Sequence, residues 1–379
     1  MSRRTPRALV AMIDGLDPAY LEGDTMPALA ALGEAGTQAT VDAIMPTVTN
    51  VNNASICCAA WPSEHGITGN SYLDPTTGEA EYMEDAGSLT FPTLIERVTD
   101  AGGRAALLTA KVKSVGLLGR GATFTLAAEA PDAASVARYG PAPEIYSAEI
   151  NLWLWDVAVD LVKNQPDLDL IYVHTTDYPM HAWPPGDPRS TAHLVGLDER
   201  IGEAARGGDD VAFFATADHG MNFKTRVWDL NDACARRGTP VRYALSAERD
   251  RYVKHHRTFG GTAWVWLETP ADYDKVTETI AALPGIAEVM TRDEAAARFH
   301  LNPHRIGDLA VLGDRDTVFG ELPEGEEYED LPTTYRSHGS LHEQRVPLVR
   351  TYDAGDAGPA RHNKDLLTPL LDGWLDKVG

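Results

Sequence analysis

The strongest constraint on the fold is the alternation of short, largely apolar runs with amphipathic stretches. Apolar runs of five or six residues are typical of strands buried on both faces of a sheet. The predicted strands are 8–13, 104–109, 168–173 and 211–215, and the predicted helices are 26–36, 93–101, 148–163 and about 191–205. This rhythm predicts an α/β fold with a mostly parallel central sheet and helices on both faces.

The pattern changes after Asp218, which suggests an inserted unit. Predicted strands at 262–267, 286–290 and 310–312 are interleaved with predicted helices at 272–283 and 291–299. We therefore expect a core formed by 1–234 and 331–379, with a smaller α+β cap, 235–330, inserted into it. The Pro/Glu/Gly-rich stretch 321–332 is interpreted as the exit linker of the cap or as a long loop over the site.

Charge and composition exclude several classes of partner. The chain of 379 residues has 33 basic and 56 acidic side chains and a net charge of −23, which disfavours nucleic acid and anionic membranes. An anionic substrate would need a locally positive site. No apolar segment approaches the ~18 residues of a membrane span, and the apolar run at the N-terminus is too short for a signal peptide. Cys57 and Cys58 are expected in a buried helix, and we expect a cytoplasmic protein.

Three aspartates lie just after the C-terminal ends of predicted strands: Asp14, Asp177 and Asp218. Because the carboxyl ends of parallel strands meet at one edge of a sheet, these carboxylates should lie together. His219 is adjacent to the third of them, and His181 follows the second by four residues. The spacing of Asp177 and His181 alone is more typical of a helix cap and a surface histidine. Asp218-His219 after a strand is more specific, because adjacent ionisable residues at a strand end seldom pack well without a reason. His338, in a Ser-His-Gly stretch, is unremarkable alone.

Thr49 is followed by Asn50-Val51-Asn52-Asn53 and then by a predicted helix over 54–60, and it has two interpretations. It is a plain N-cap, or it is a nucleophile whose phosphoryl adduct lies against the N-H groups of the helix N-terminus. Three aspartates, three histidines and one hydroxyl form a ligand set for two closely spaced cations with an alkoxide nucleophile between them.

Two lysines follow the predicted strand at 104–109. Lys111 and Lys113, two residues apart at a strand end, would point the same way and form a small anion clamp, or they would line a solvated edge. Asn70, after a glycine, is either a turn residue or a ligand contact.

Taken in order, these motifs resemble the alkaline phosphatase superfamily, in the branch that holds the nucleotide pyrophosphatase/phosphodiesterases and the phosphonoacetate hydrolases. The seven candidate ligands occur in the superfamily's order. The stretches that carry the closer resemblance are 46–53, 62–70, 109–113, 175–178, 217–222, 252–256 and 336–339. The resemblance spans most of the chain and weakens over about 120–165 and 270–330.

The resemblance implies two Zn²⁺ per chain. One would be held by Asp14, Thr49, Asp218 and His219, and the other by Asp177, His181 and His338. Thr49 is then the nucleophile, Asn70 contacts a phosphoryl oxygen, and Lys111 and Lys113 bind the substrate carboxylate.

The implied activity is hydrolysis of the C–P bond of phosphonoacetate or a closely related carboxylated phosphonate, through a phosphothreonine intermediate. Two alternatives stay open: a phosphomonoesterase or phosphodiesterase on the same metals, and a non-catalytic metal- or anion-binding module. We expect a small anionic substrate, a phosphonate, as the partner, neither nucleic acid nor membrane, and allow for a homodimer. Two departures from the family pattern, Val112 and the stretch Ala182–Gly186, lie near the leaving group.

Overall fold

The computed structural model describes residues 6–74, 76–208, 210–251, 254, 256–352 and 359–373. The strands are β1 Arg7–Met12, β2 Thr37–Asp42, β3 Ser71–Leu73, β4 Ala80–Tyr82, β5 Ala105–Thr109, β6 Phe124–Ala127, β7 Leu170–His174, β8 Val211–Thr216, β9 Asn222–Phe223, β10 Arg226–Trp228, β11 Tyr243–Ser246, β12 Thr262–Trp266, β13 Ile286–Thr291, β14 Leu309–Gly313, β15 Thr317–Phe319, β16 Tyr328–Asp330, β17 Arg336–Ser337 and β18 Arg345–Arg350. The α-helices are α1 Pro27–Ala35, α2 Thr49–Cys58, α3 Pro62–His65, α4 Leu94–Asp100, α5 Val112–Leu118, α6 Ala133–Tyr139, α7 Glu149–Asn164, α8 Tyr178–Ala182, α9 Pro188–Ala205, α10 Leu230–Arg236, α11 Tyr273–Ala281, α12 Arg292–Phe299 and α13 Thr368–Gly373.

Seven strands form the central sheet in the order β2-β18-β8-β1-β7-β5-β6. The five strands from β8 to β6 pair in parallel, and every residue of β1, β5 and β7 is buried. Helices cover these strands: α7 contacts β5 and β7, α9 contacts β8 and α7, and α4 and α5 contact β5. This cover explains why the strands are continuously apolar. The predicted α/β fold with a mostly parallel sheet is confirmed.

One inner strand of the sheet was not predicted. β18 lies antiparallel between β8 and β2 and carries Pro347 in the register opposite Thr40. A proline is atypical of inner strands because it lacks an N–H donor. The ladder between β18 and β8 covers Leu348 to Arg350, so Pro347 lies outside it, and the Pro347 carbonyl accepts a hydrogen bond from Thr216 Oγ1 at 2.7 Å.

A second, antiparallel sheet has the order β11-β12-β14-β13 and carries α11 and α12. All four strands fall inside the segment 235–330, whose bounds as a separate cap stay a prediction. The stretch 321–332 is more than a linker, because it contains β16, which pairs with β10. Over the described residues, no helix combines the length and apolar character needed to cross a lipid bilayer.

Candidate active site

Three adjacent strands place three carboxylates at one edge of the central sheet. Asp14 follows β1, Asp177 follows β7, and Asp218 follows β8. The loops are tied together because the Gly15 N–H donates to Asp218 Oδ1 over 3.0 Å. Gly15 has φ +74°, and a Cβ there would lie 3.1 Å from Met180 and 3.3 Å from Asp177. A glycine is therefore required for the carboxylates to approach this closely.

Asp14 and Asp218 are fully buried. Burial, and then the neighbouring carboxylates Asp177 and Asp218, raise the pKa of Asp14 to about 7. Burial raises the pKa of Asp218 to about 6. Within the described part of the chain, Asp14 Oδ1 and Asp218 Oδ2 are buried without a hydrogen bond. His219 Nε2 lies 3.6 Å from the first oxygen and 3.3 Å from the second. Buried oxygens and an imidazole nitrogen at this spacing fit a cation.

Three histidines present the same nitrogen to the site. His181 Nδ1 lies 2.8 Å from the Arg336 carbonyl, His219 Nδ1 lies 3.0 Å from the Gly220 carbonyl, and His338 Nδ1 lies 2.9 Å from the Thr47 carbonyl. A carbonyl oxygen only accepts, so each Nδ1 carries the hydrogen and donates it. In the neutral ring Nε2 then has a free lone pair, which is the state that a metal ion requires. Burial, and then the other histidines, lower the pKa of His338 well below its usual value.

Among the described residues, the candidate ligand atoms fall into three overlapping groups, in each of which all atoms lie within 4.8 Å of one another. The groups are Asp14–Asp218–His219, Asp177–His181–His256 and Asp177–His219–His338. The first group contains three of the four ligands expected for one metal. The second expected set, Asp177, His181 and His338, is divided between the other two groups, which share Asp177.

Thr49 is the first residue of α2, and Val48 occupies the N-cap position. Thr49 Oγ1 makes no capping hydrogen bond and lies 3.5 Å from His219 Nε2. The interpretation of Thr49 as a plain N-cap is therefore wrong. Every residue of α2 is buried, including Cys57 and Cys58, as predicted. Because Thr49 is its first residue, the N-terminus of this ten-residue helix lies beside His219, and a helix N-terminus favours a bound anion.

Asn70 lies beside this helix N-terminus. Its Oδ1 accepts from the Asn50 N–H over 3.3 Å, and its Nδ2 donates to the Glu248 carbonyl over 3.2 Å. The side chain thus joins the segment carrying Thr49 to the segment after β11. Among the described residues Asn70 Nδ2 makes this one donation, which leaves its second amide hydrogen for a further acceptor.

The prediction that Lys111 and Lys113 point the same way at a strand end is wrong, because neither lysine belongs to the strand. β5 ends at Thr109, Lys111 is the N-cap residue of α5, and Lys113 lies in its first turn. Both are buried, at 8% and 9% exposure, so the solvated-edge interpretation is wrong. Lys111 Nζ lies 3.6 Å from Asp177 Oδ1, which places a cation against the carboxylate cluster. Burial opposes its charge, but Asp177 and Asp14 raise the pKa of Lys111 above its usual value.

Four further residues at the site were not singled out from the sequence. The His256 ring stacks on the His181 ring with centroids 3.8 Å apart. His174 Nε2 lies 3.4 Å from Asp14 Oδ2, Glu248 Oε1 lies 3.9 Å from His338 Nε2, and Asp250 pairs with Lys113. The adjacency of His255 and His256 was the one local signal, and His255, Tyr252 and Val253 lie outside the described residues.

A cavity of about 280 Å³ opens beside His181. It is lined by Tyr178, His181, Ala182, His256, Pro332, Thr334, Tyr335 and Arg336. Of the predicted ligands His181 lines this cavity, so a small molecule bound there would lie against that part of the site.

A mostly parallel sheet with candidate metal ligands and a buried hydroxyl at its carboxyl edge is the arrangement of a metal-dependent hydrolase. The chain belongs to the type I phosphodiesterase / nucleotide pyrophosphatase family, whose model matches residues 8–341. The resemblance to the alkaline phosphatase superfamily is confirmed by this match.

Two solved structures of phosphonoacetate hydrolase from Sinorhizobium meliloti 1021 are similar over almost the whole chain. The complex with phosphonoformate is 31% identical, covers 99% of this chain and 95% of that chain, and has a TM-score of 0.86. The complex with phosphonoacetate is 30% identical with the same coverage and TM-score. Murine ectonucleotide pyrophosphatase / phosphodiesterase 5 shares the fold, at 16% identity, 98% and 95% coverage and a TM-score of 0.68.

Proposed function

We propose that this chain is a di-zinc hydrolase that cleaves the C–P bond of phosphonoacetate or a closely related carboxylated phosphonate. The observation that carries the proposal is the pair of buried lysines, Lys111 and Lys113, beside the carboxylate cluster. Hydrolysis of a plain phosphoester does not need two buried ammonium groups in addition to the metals. The similar hydrolase from Sinorhizobium meliloti, solved with phosphonoacetate and with phosphonoformate, supports the same substrate class.

The residues fit the metals in number and chemical type. Asp14, Thr49, Asp218 and His219 would hold one zinc ion, and Asp177, His181 and His338 the other. The fit is supported by the buried Asp14 and Asp218 oxygens and by the orientation of the three Nε2 atoms. When bound, the two zinc ions supply positive charge that lowers the pKa of the Thr49 hydroxyl and polarises the phosphoryl group.

In the first step, Thr49 Oγ1 gives its proton to water and attacks phosphorus in line with the C–P bond. The new O–P bond forms as the C–P bond breaks, and the electron pair goes to the carbon atom. This carbanion is too basic to depart without stabilisation, but an adjacent carboxylate delocalises its negative charge, which gives an enolate-like dianion. A proton from water then completes acetate or its analogue.

Lys111 and Lys113 would stabilise that dianion because they hold the carboxylate on which the charge accumulates. The additional negative charge of the dianion exists only in the transition state and afterwards. Its stabilisation therefore increases the rate of C–P cleavage and not merely the affinity for the substrate. Their burial strengthens the interaction, since water does not screen it.

In the second step, water attacks phosphorus and loses a proton, the Thr49 O–P bond breaks, Thr49 Oγ1 regains a proton, and phosphate leaves. The N-terminal N–H groups of α2 and the free Asn70 amide hydrogen would hold the phosphoryl oxygens in both steps. One site therefore serves both displacements without moving the phosphoryl group.

A substrate panel tests the proposal. The zinc-loaded protein is given phosphonoacetate and related carboxyphosphonates, methylphosphonate as the matched compound without a carboxylate, p-nitrophenyl phosphate and its diesters. We expect phosphate release from the carboxyphosphonates with the highest kcat/KM of the panel, and none from methylphosphonate.

A phosphomonoesterase or phosphodiesterase is the second candidate, favoured by the family match to type I phosphodiesterases. In that case the lysines would bind another anionic group of the substrate. Higher kcat/KM for the esters than for phosphonoacetate would establish this function instead.

A further inference from the structure

Helix α8 carries the candidate ligand His181 and is only five residues long. A helix this short is not stable without tertiary support, and its last carbonyls need donors from outside the helix. Pro184, four residues after Met180, has no N–H to offer. The Met180 carbonyl therefore depends on donors from elsewhere in the chain.

The buried side chain of Arg336 supplies these donors. Arg336 shares its Nη1 hydrogens between the carbonyls of Met180 and Trp183, at 2.5 and 2.7 Å, and the Tyr20 hydroxyl, at 2.6 Å. The same hydroxyl donates to the Trp183 carbonyl over 2.7 Å. A cation is favoured beside the C-terminal carbonyls of a helix, and the rigid fork of a guanidinium serves several acceptors at once. Arg336 therefore fixes the end of α8.

The backbone of Arg336 holds the same ligand a second time. Its carbonyl accepts the Nδ1 hydrogen of His181 over 2.8 Å, and Arg336 is itself held in β17, opposite Phe223 of β9. His338 follows two residues later, and its ring centroid lies 5.5 Å from that of His181. One residue thus fixes the helix that carries His181, orients the His181 ring, and links both to the strand that leads to His338.

We propose that Arg336 is a positioning residue for the metal ion expected on Asp177, His181 and His338. Arg336 offers no ligand atom to the ion. It acts by holding His181 at a fixed position and orientation relative to His338, so that both Nε2 atoms face the same ion. Partners that orient a metal ligand in this way are typically worth roughly 10–100-fold in metal affinity. This inference rests on the proposed di-zinc function and adds a residue on which one of its two metal sites depends.

The experiment measures zinc binding to the metal-free, full-length protein by competition with a chromogenic chelator. Arg336→Met keeps a long side chain and removes every guanidinium donor. We expect it to raise the Kd of one zinc equivalent at least tenfold and to leave the Kd of the other within threefold of wild type. Arg336→Lys keeps a cation beside the same carbonyls, so its Kd for the affected equivalent should lie between those of wild type and Arg336→Met.

Cobalt(II) in place of zinc gives a second measurement, because its visible absorption depends on the number and arrangement of its ligands. At saturating cobalt, the absorption of one of the two ions should change in Arg336→Met. A loss of stability alone would leave the spectrum of the folded, loaded protein as it is in wild type.

Arg7→Met is the matched control. Arg7 is also buried and donates to three backbone carbonyls, those of Val162, Gln165 and Leu168. It is the first residue of β1 and lies at the end of the strand remote from Asp14. Its replacement removes a comparable set of hydrogen bonds outside the site, so both zinc affinities and the cobalt spectrum should stay those of wild type.

A folded Arg336→Met variant that keeps both zinc affinities overturns the proposal, as does a loss of equal size at both equivalents. If Arg336→Met does not fold, Arg336→Lys decides, and wild-type affinity at both equivalents in that variant overturns the proposal. In these cases a wild type that binds two zinc ions and hydrolyses phosphonoacetate leaves the proposed function standing. A wild type that binds fewer than two zinc ions contradicts the di-zinc function, and this inference fails with it.

Discussion

His338 donates its Nδ1 hydrogen to the backbone carbonyl of Thr47 over 2.9 Å, although the two residues are 291 positions apart. Thr47 Oγ1 in turn donates to the Ser340 carbonyl over 2.8 Å and accepts from the Gly339 N–H over 3.1 Å. Thr49 follows two residues later. The candidate nucleophile and a candidate ligand are therefore held in one hydrogen-bonded unit, so the position of one sets the position of the other.

Replacing Thr49 with alanine should abolish turnover and leave the metals in place. Removal of a nucleophile typically costs ~10³-fold or more in kcat, while Asp14, Asp218 and His219 still offer three ligands. Metal content by mass spectrometry and phosphate release give the two readouts. Thr49→Ser keeps a hydroxyl and should retain measurable activity. A fully active alanine variant would show that Thr49 is not the nucleophile.

Replacing His338 with alanine should weaken binding of one metal equivalent and not of the other. Mutation of a residue that only hydrogen-bonds to a metal ligand typically lowers metal affinity by roughly 10–100-fold. Loss of the ligand itself should lower the affinity at least as much. The control is His342→Ala, four residues further on, whose side chain is exposed. Equal zinc affinities in the two variants, measured with a competing chelator, would refute the assignment of His338.

Lys111→Met should reduce activity toward the carboxylated phosphonate selectively. Hydrogen bonds to charged groups contribute about 1.5–3 kcal/mol, which predicts roughly a 10- to 150-fold loss in kcat/KM for phosphonoacetate. Hydrolysis of p-nitrophenyl phosphate, if measurable, should change far less. Equal losses on both substrates would mean that Lys111 serves the metal cluster through Asp177 and does not contact the carboxylate.

The metal-free protein should lose stability as the pH rises from about 4 to about 7. The pKa of Asp14 is raised to about 7 and that of Asp218 to about 6, against 3.8 for an unperturbed carboxyl. In this window the folded state binds more protons than the unfolded state, so the free energy of unfolding falls with increasing pH. Thermal unfolding at pH 5 and pH 7.5 measures the difference, which is expected on the order of a few kcal/mol.

Zinc should reverse this trend, because metal binding requires the ionised carboxylates and removes their mutual repulsion. Asp14→Asn is the matched variant and should flatten the pH dependence of the metal-free protein. A wild-type metal-free protein that becomes more stable between pH 5 and pH 7.5 would contradict the prediction.

Lys224→Met should destabilise the protein strongly. Lys224 and Glu343 form a fully buried ion pair at 2.9 Å that joins the loop after His219 to the loop after His338. Removing one partner of a buried pair costs ~3–5 kcal/mol because the other charge stays buried. The control is Lys163→Met, which breaks an exposed pair with Glu203 and should cost less than ~1 kcal/mol.

Lys224→Met/Glu343→Gln removes both charges of the buried pair and should recover part of the lost stability. Urea unfolding of the three variants provides the free energies. A double variant as unstable as Lys224→Met would show that an effect other than the uncompensated charge of Glu343 dominates.

Much of the core was predictable because each of its strands is marked by a local sequence pattern. The runs containing β1, β5, β7 and β8 are apolar enough to identify a sheet buried on both faces, and the order of elements makes it parallel. The edge at which Asp14, Asp177 and Asp218 lie then follows from topology. By contrast, β18 carries a proline and pairs antiparallel, so the local sequence does not predict its position between β2 and β8.

By itself, then, the sequence determined the fold class and the candidate residues whose chemistry is evident in their own motif, such as Asp218-His219 after a strand. Only the tertiary structure decided that Lys111 and Lys113 are buried in the start of a helix, and that His256, Glu248 and Asp250 come to the site from the segment after β11. The physical reason is range. Strand and helix patterns reflect neighbours a few residues apart, whereas the charge and the shape of the site arise from side chains more than a hundred residues apart that packing brings together.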